Sequence, residues 1–270
     1  MSGASGLATA LDGRTELYWE STGDGPPVLL VHGLGLSGGA WWRTVDALAP
    51  SMRVITFDHR GIGRSEALMP TFTTEAMADD AIAVLDALEI AEAHVYGISL
   101  GGMVAQQLAL RHPDRVRSLV LGATQPGGRR AVRADDDVMR FFTRRAHMSH
   151  EEAAWASVPY NYGPRAREEQ VDLIADDIER RLTNPFNEAA YRAQLFAAAM
   201  HNCFGRLGRI RAPTFIVHGA HDRVIPVANA HLLADGIPEA RLRVLENAGH
   251  LYPTEESDVD HAIGSFFETH

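Results

Sequence analysis

The chain has a single cysteine, Cys203, so no intramolecular disulfide can form. That fits a reducing compartment. No apolar run approaches the roughly 20 residues a membrane helix needs. Met1 to Ala10 also lacks the basic start and apolar core of a secretory leader. A cytoplasmic location is therefore expected. Positive charge is scarce: 25 Lys and Arg stand against 35 Asp and Glu, a formal net charge of −10. Nucleic acids and anionic membranes are bound through clustered Lys and Arg, so neither is an expected partner. The His-Glu-x-x-His motif and paired cysteines are missing too. His218, His221, Asp222 and His250 are the nearest approach to a metal cluster. Of these, His218 ends a strand expected to be buried and His221 falls in a turn. No metal and no cofactor are expected.

What is present is a core. With 270 residues and 46% hydrophobic content, one large domain, or one domain with an insertion, is well supported. Two edge strands are expected near Leu7–Leu11 and Glu16–Glu20, with the Asp12-Gly13 pair as a hairpin signal. Val28-Leu29-Leu30-Val31, Val54-Ile55-Thr56-Phe57 and Ser118-Leu119-Val120-Leu121 are short apolar runs suited to strands covered on both faces. Helical patterns fall between them at Trp41 to Leu48 and Thr74 to Leu88. Strands alternating with helices predict a mostly parallel sheet flanked by helices. The alternation pauses after Thr124. From 125 to 208 the pattern is helical and highly charged, clearest at Arg165 to Leu182 and Glu188 to Met200. This segment is expected to be a helical cap inserted into a core made of residues 1–124 and 209–270. The sheet pattern resumes at 213–217 and 242–245, and a last helix is expected from Glu256 to Phe267.

The stretch around which the chemistry turns is His94-Val95-Tyr96-Gly97-Ile98-Ser99-Leu100-Gly101-Gly102. A strand-like run leads into Gly-x-Ser-x-Gly, and a helix-forming segment follows. In that context a sharp turn strains the serine backbone and lifts its side chain out of the sheet. Leu100 then opens a helix, where an unpaired N–H can hold a developing negative charge. A serine hydroxyl needs a base, usually histidine oriented by a carboxylate. Strand 213–217 ends in His218-Gly219-Ala220-His221-Asp222, and strand 242–245 ends in Glu246-Asn247-Ala248-Gly249-His250. Asp222 and His250 follow Ser99 in the order Ser, Asp, His. Asp58 precedes the serine, and Glu246 is too near His250 in sequence to come from a separate loop. A second oxyanion donor is expected after strand 28–31, at the Leu34 N–H. Trp41, Trp155 and Tyr160 are candidates for the substrate pocket.

Several segments together resemble the α/β-hydrolase-fold serine hydrolases of the esterase, enol-lactonase and cofactor-free haloperoxidase branch. They are His32-Gly33-Leu34-Gly35, Asp58-His59-Arg60-Gly61-Ile62-Gly63-Arg64-Ser65, Gly97 to Gly102, His218 to Asp222 and Gly249-His250. The Asp58–Ser65 stretch resembles a loop that is structural in that family, and it is given no catalytic role. Relatives of this fold that break carbon–halogen bonds or open epoxides carry aspartate at the position of Ser99. The resemblance implies hydrolysis of a small, largely apolar ester or lactone through Ser99, His250 and Asp222. Carbon–carbon bond hydrolysis, perhydrolysis, or slow-turnover reception of a small molecule would use the same residues. A homo-oligomer is compatible with the sequence.

Overall fold

The computed structural model describes residues 3–66, 72–145 and 147–270. Eight strands form one sheet in the order β1-β2-β4-β3-β5-β6-β7-β8. They are β1 (Gly3–Thr9), β2 (Glu16–Thr22), β3 (Pro27–Val31), β4 (Arg53–Phe57), β5 (Ala93–Ile98), β6 (Val116–Gly122), β7 (Thr214–Gly219) and β8 (Arg241–Leu245). β1 and β2 are antiparallel to each other, and β2 is antiparallel to β4. All remaining pairs are parallel. The expectation of two edge strands at the start is corrected here. Only β1 is an edge, because β2 continues to Thr22 and pairs with β4 on its other side.

The alternation along β3 divides the core. Leu29 and Val31 join one apolar cluster with residues of α2 (Thr74–Ala87), α3 (Leu100–Arg111) and α10 (Ala228–Gly236). Val28 and Leu30 point the other way, toward Leu48 of α1 (Trp42–Leu48) and Val259, Ile263 and Phe267 of α12 (Asp258–Glu268). A sheet buried on both faces needs continuous apolar strands, and β5 is buried at every residue.

Between β6 and β7 the chain builds α4 (Asp136–Arg145), α5 (His150–Ala156), α6 (Val158–Asn161), α7 (Pro164–Glu169), α8 (Val171–Leu182) and α9 (Glu188–Met200). The single helix expected at Arg165–Leu182 is in fact two. Gln170 leaves helical angles (φ −126°, ψ 35°), and its side-chain amide donates to the Glu255 carbonyl at 3.1 Å. That tertiary bond gives the break a partner which helical periodicity does not reveal. The last helix likewise starts late, at Asp258, after the short α11 (Tyr252–Glu255). Among the described residues no helix is long and apolar enough to cross a membrane.

Two glycines make the turn after β5 buildable. A Cβ on Gly97 would run into the Gly101 carbonyl, and one on Gly101 into the Val31 carbonyl. Gly101→Ala is therefore expected to destabilise the protein by about 3 kcal/mol, since neither backbone can yield without shifting β3 against α3. Urea denaturation measures it; an unchanged midpoint would show that the approach is loose.

Candidate active site

Parallel strands deliver their following loops to one edge of the sheet, and the site residues gather there. Ser99 sits between β5 and α3 with φ 57° and ψ −121°, a conformation that costs a non-glycine residue roughly 1–3 kcal/mol. Its backbone is tied down accordingly. Its N–H donates to Gly122 O at 2.9 Å, and Thr124 Oγ1 donates to its carbonyl at 2.7 Å. His250 comes from the loop after β8, three strand spacings or about 14 Å from β5. The loop reaches back because it is laced to the one after β7. Ala220 N–H donates to Leu245 O and His221 N–H to Ala248 O, both at 2.9 Å.

The result is a chain of contacts. Ser99 Oγ lies 3.0 Å from His250 Nε2, and His250 Nδ1 lies 2.8 Å from Asp222 Oδ2. The other Asp222 oxygen accepts the Val224 and Ile225 N–H groups at 2.9 and 2.8 Å. Burial alone would raise the Asp222 pKa. The His250 charge, with hydrogen bonds from His218 and His250, outweighs it and holds the carboxyl at about 2. Asp222 is thus an anion facing an imidazole whose other nitrogen faces the serine.

The competing acids lie elsewhere. Glu246 is exposed. Asp58 is buried, but its oxygens accept the Gly38 and Arg64 N–H groups at 2.6 and 2.8 Å. It braces the turn beyond the loop after β3. Gln194 of α9 braces that loop from the other side, accepting the Gly35 N–H at 2.9 Å. Gly33 abuts Ser99, since a Cβ placed on it would stand 3.5 Å from Ser99 Cβ. Leu100 N–H opens α3, and neither it nor Leu34 N–H has a hydrogen-bond partner among the described residues.

A cavity adjoins these residues, lined by His32, Leu36, Trp41, Ile98, Leu251 and, from α8, Arg181. Ile98 precedes Ser99, and Leu251 follows His250. Of the three pocket aromatics expected from the sequence, only Trp41 lines it. Trp155 is 42% exposed. Tyr160 stacks on Phe141 with ring centroids 4.6 Å apart, packing the helical segment onto itself. Among the described residues no three His, Cys, Asp or Glu side chains are grouped to hold a metal ion.

Two residues here have a part that the sequence does not suggest, His218 being weighed there only as a metal ligand. His218 Nε2 donates to Ile225 O at 2.8 Å and also lies 3.1 Å from Asp222 Oδ2. The i, i+4 spacing of His218 and Asp222 could have suggested the pair, had 218–222 been read as one turn. Glu255 carried no sequence signal at all. Its buried carboxylate accepts the Gly249 N–H and, from the segment between α6 and α7, the Gly163 N–H, each at 2.8 Å. It clamps the helical segment to the loop that carries His250. Burial raises its pKa to about 7, against those two bonds. The sign follows: the folded state holds this proton more tightly than the unfolded chain, whose value is 4.5. Stability from this group is complete below about pH 4.5 and is lost as pH rises through about 7. Urea midpoints are expected to fall over that window, and Glu255→Gln to flatten the fall. A wild-type midpoint as flat as that of the variant would contradict this.

Residues 26–256 match the family described as having the alpha/beta hydrolase fold. The chain belongs to that family, and it is a hydrolase of the α/β-hydrolase superfamily. It is 34% identical over 254 residues to the candidate carbamate hydrolase RutD of Azorhizobium caulinodans, covering 92% of each chain. It is 32% identical to the pimeloyl-(acyl-carrier protein) methyl ester esterase of Chromobacterium violaceum, covering 94% of this chain and 98% of the relative. The solved enol-lactonase from Burkholderia xenovorans LB400 superposes with a TM-score of 0.84 at 25% identity, over 98% of this chain and 100% of the other. The chain has no lysine, its 25 basic residues all being arginine, which excludes the serine–lysine pairing some hydrolases use in place of histidine.

Proposed function

We propose that this protein cleaves a carboxylic ester or lactone of a small molecule by two-step acyl transfer. The observation that carries the reading is the unbroken line Ser99 Oγ, His250, Asp222, with contacts of 3.0 and 2.8 Å. His250 Nε2 takes the hydroxyl proton as Ser99 attacks the carbonyl. The Leu34 and Leu100 N–H groups receive the oxyanion; each such donor is worth roughly 3–4 kcal/mol where it has been removed from related sites. His250 then protonates the leaving alcohol, and water attacks the acyl-enzyme by the same route. Asp222 keeps the Nδ1–H tautomer in place and stabilises the imidazolium. Residues 125–208 act as the cap that shapes the pocket, clamped by Glu255 and Gln194. An esterase and an enol-lactonase stand among the similar proteins, and cleavage of an ester or a lactone alike can begin with this carbonyl addition.

A cytoplasmic setting belongs to the proposal. Cys203 is buried, and burial pushes its thiol up to about 12, so it is no nucleophile. The test is a side-by-side panel of p-nitrophenyl acetate and butyrate, a γ-lactone and a β-diketone. Turnover of the esters or the lactone is expected. Cleavage of the diketone alone would favour carbon–carbon bond hydrolysis, and a ligand-induced thermal shift without turnover would favour a receptor.

A further inference from the structure

The helical segment carries two arginines that are only half-exposed. Arg145 ends α4, and Arg181 lies in the last turn of α8. Other arginines in or beside this segment are either paired, as Arg165 with Glu169, Arg192 with Glu188 and Arg223 with Asp135 and Asp137, or exposed to water, as Arg144, Arg167 and Arg180 are. Among the described residues no carboxylate lies within ion-pair distance of Arg145 or Arg181. The Arg181 Nε and Nη1 atoms are buried without a hydrogen-bond partner. The Arg181 charge reaches its neighbours. Burial lowers the Arg145 pKa, and the Arg181 charge lowers it further; His150 is held down by burial and then by both arginines.

An unpaired guanidinium with buried N–H groups is costly unless an anion completes it. The carbonyl ends of α4 and α8 favour cations, but a helix terminus offsets only part of that cost. Arg145 also lies over the Tyr191 ring, 4.6 Å from its centroid, and donates no hydrogen bond to a described residue. The hydroxyl of Tyr191 is buried and unpartnered as well, and the buried Tyr162 hydroxyl faces Arg181. Every unmatched group in this patch can donate, and none is an obligate acceptor. Such a set is complementary to a carboxylate, which accepts a guanidinium fork through both oxygens.

Its position ties the patch to catalysis. Arg181 lines the cavity walled by His32, Trp41, Ile98 and Leu251, together with Asp177, whose oxygens are taken by Trp42, Arg43 and Thr254. It also lines a second cavity with Gly35, Leu36 and His150. The Tyr191 ring packs on Gly35 closely enough that a Cβ there would come within 2.7 Å. The patch therefore borders the loop proposed to hold the oxyanion. We infer that Arg181 and Arg145 form an anion subsite, so that the substrate carries a carboxylate away from its scissile ester or lactone bond. This deepens the acyl-transfer reading and rests on it.

The test compares monomethyl esters of straight-chain dicarboxylates, malonate to adipate, with the corresponding dimethyl esters. Wild-type enzyme is expected to prefer the half-ester at one chain length. Arg181→Met is expected to lower the half-ester to diester ratio of kcat/KM about 100-fold, the worth of a charge-assisted bidentate contact, and Arg181→Lys to restore part of it. Arg145→Met supplies a second variant should Arg181→Met fail to fold. No half-ester preference, or an unchanged ratio in a folded variant, would overturn the subsite. Binding is read separately with Ser99→Ala, titrated with glutarate and its homologues. A rise in Tm of about 2 °C or more at saturation is expected, and it should vanish in the Ser99→Ala, Arg181→Met double variant. No dicarboxylate shift would overturn the subsite even if esters are hydrolysed. A shift without ester turnover by the wild type would leave the subsite standing and remove the acyl-transfer reading.

Discussion

Ser99→Ala is expected to lower kcat for a p-nitrophenyl ester by about 10⁵-fold or more, as loss of the nucleophile does in comparable triads. A residual rate of roughly 10³–10⁴ over water would persist, because the oxyanion donors and the pocket remain. The fold should not change. Alanine and serine tolerate φ 57° equally poorly, and the bonds that hold this backbone use the Ser99 N–H and carbonyl rather than its hydroxyl. Ser99→Gly separates the two effects. It removes the nucleophile and also relieves the strained angles, so it is expected to raise stability by about 1 kcal/mol while remaining inactive. An alanine variant with more than a few per cent of wild-type turnover would mean that another group attacks the carbonyl.

Asp222→Asn is expected to cost about 10⁴-fold in kcat with little change in KM. The cause is tautomeric. Asp222 Oδ2 accepts from His250 Nδ1 at 2.8 Å, which leaves Nε2 free to take the serine proton. An asparagine NH₂ in that place donates instead, turns Nδ1 into the acceptor and puts the proton on Nε2, where it faces Ser99 uselessly. The Val224 and Ile225 N–H groups still find the Asn carbonyl oxygen, so the loop should hold its shape. The pH dependence of stability carries an independent signature. Asp222 titrates at about 2 in the fold against 3.8 in the unfolded chain. Its contribution is complete above about pH 4 and is lost as pH falls through about 2. Acid unfolding should thus steepen in the wild type over a window where the variant is flatter. Equal kcat in both proteins would remove Asp222 from the proton relay.

The residues that the structure draws together at the strand ends were readable because each follows a strand, and strands announce themselves. Gly97 and Gly101 mark a turn that no larger residue fits. The order Ser99, Asp222, His250 placed three loops at one edge before any distance was known. Residues that act through shape left less trace. Glu255 and Gln194 bond to backbone N–H groups far away in sequence, and one sequence has no pattern for such a partner. The break at Gln170 and the inner position of β2 have the same origin, a tertiary bond overriding a local preference. The aromatics between β6 and β7 were the least legible. Helical spacing does not say whether a ring turns inward to the cavity, outward like Trp155, or into its neighbours like Tyr160. Arg145 and Arg181 read as ordinary surface charge in a segment rich in both signs. Partial burial without a counter-ion sets them apart in this segment.

The most direct measurement is covalent. Wild-type protein treated with diisopropyl fluorophosphate is expected to lose ester turnover and to gain the mass of one diisopropylphosphoryl group, located on the peptide holding Ser99. His250→Ala should react far more slowly, because nothing there activates the hydroxyl. Full turnover with Ser99 unlabelled, or inactivation with the adduct on any other residue, would contradict a nucleophile at the turn between β5 and α3.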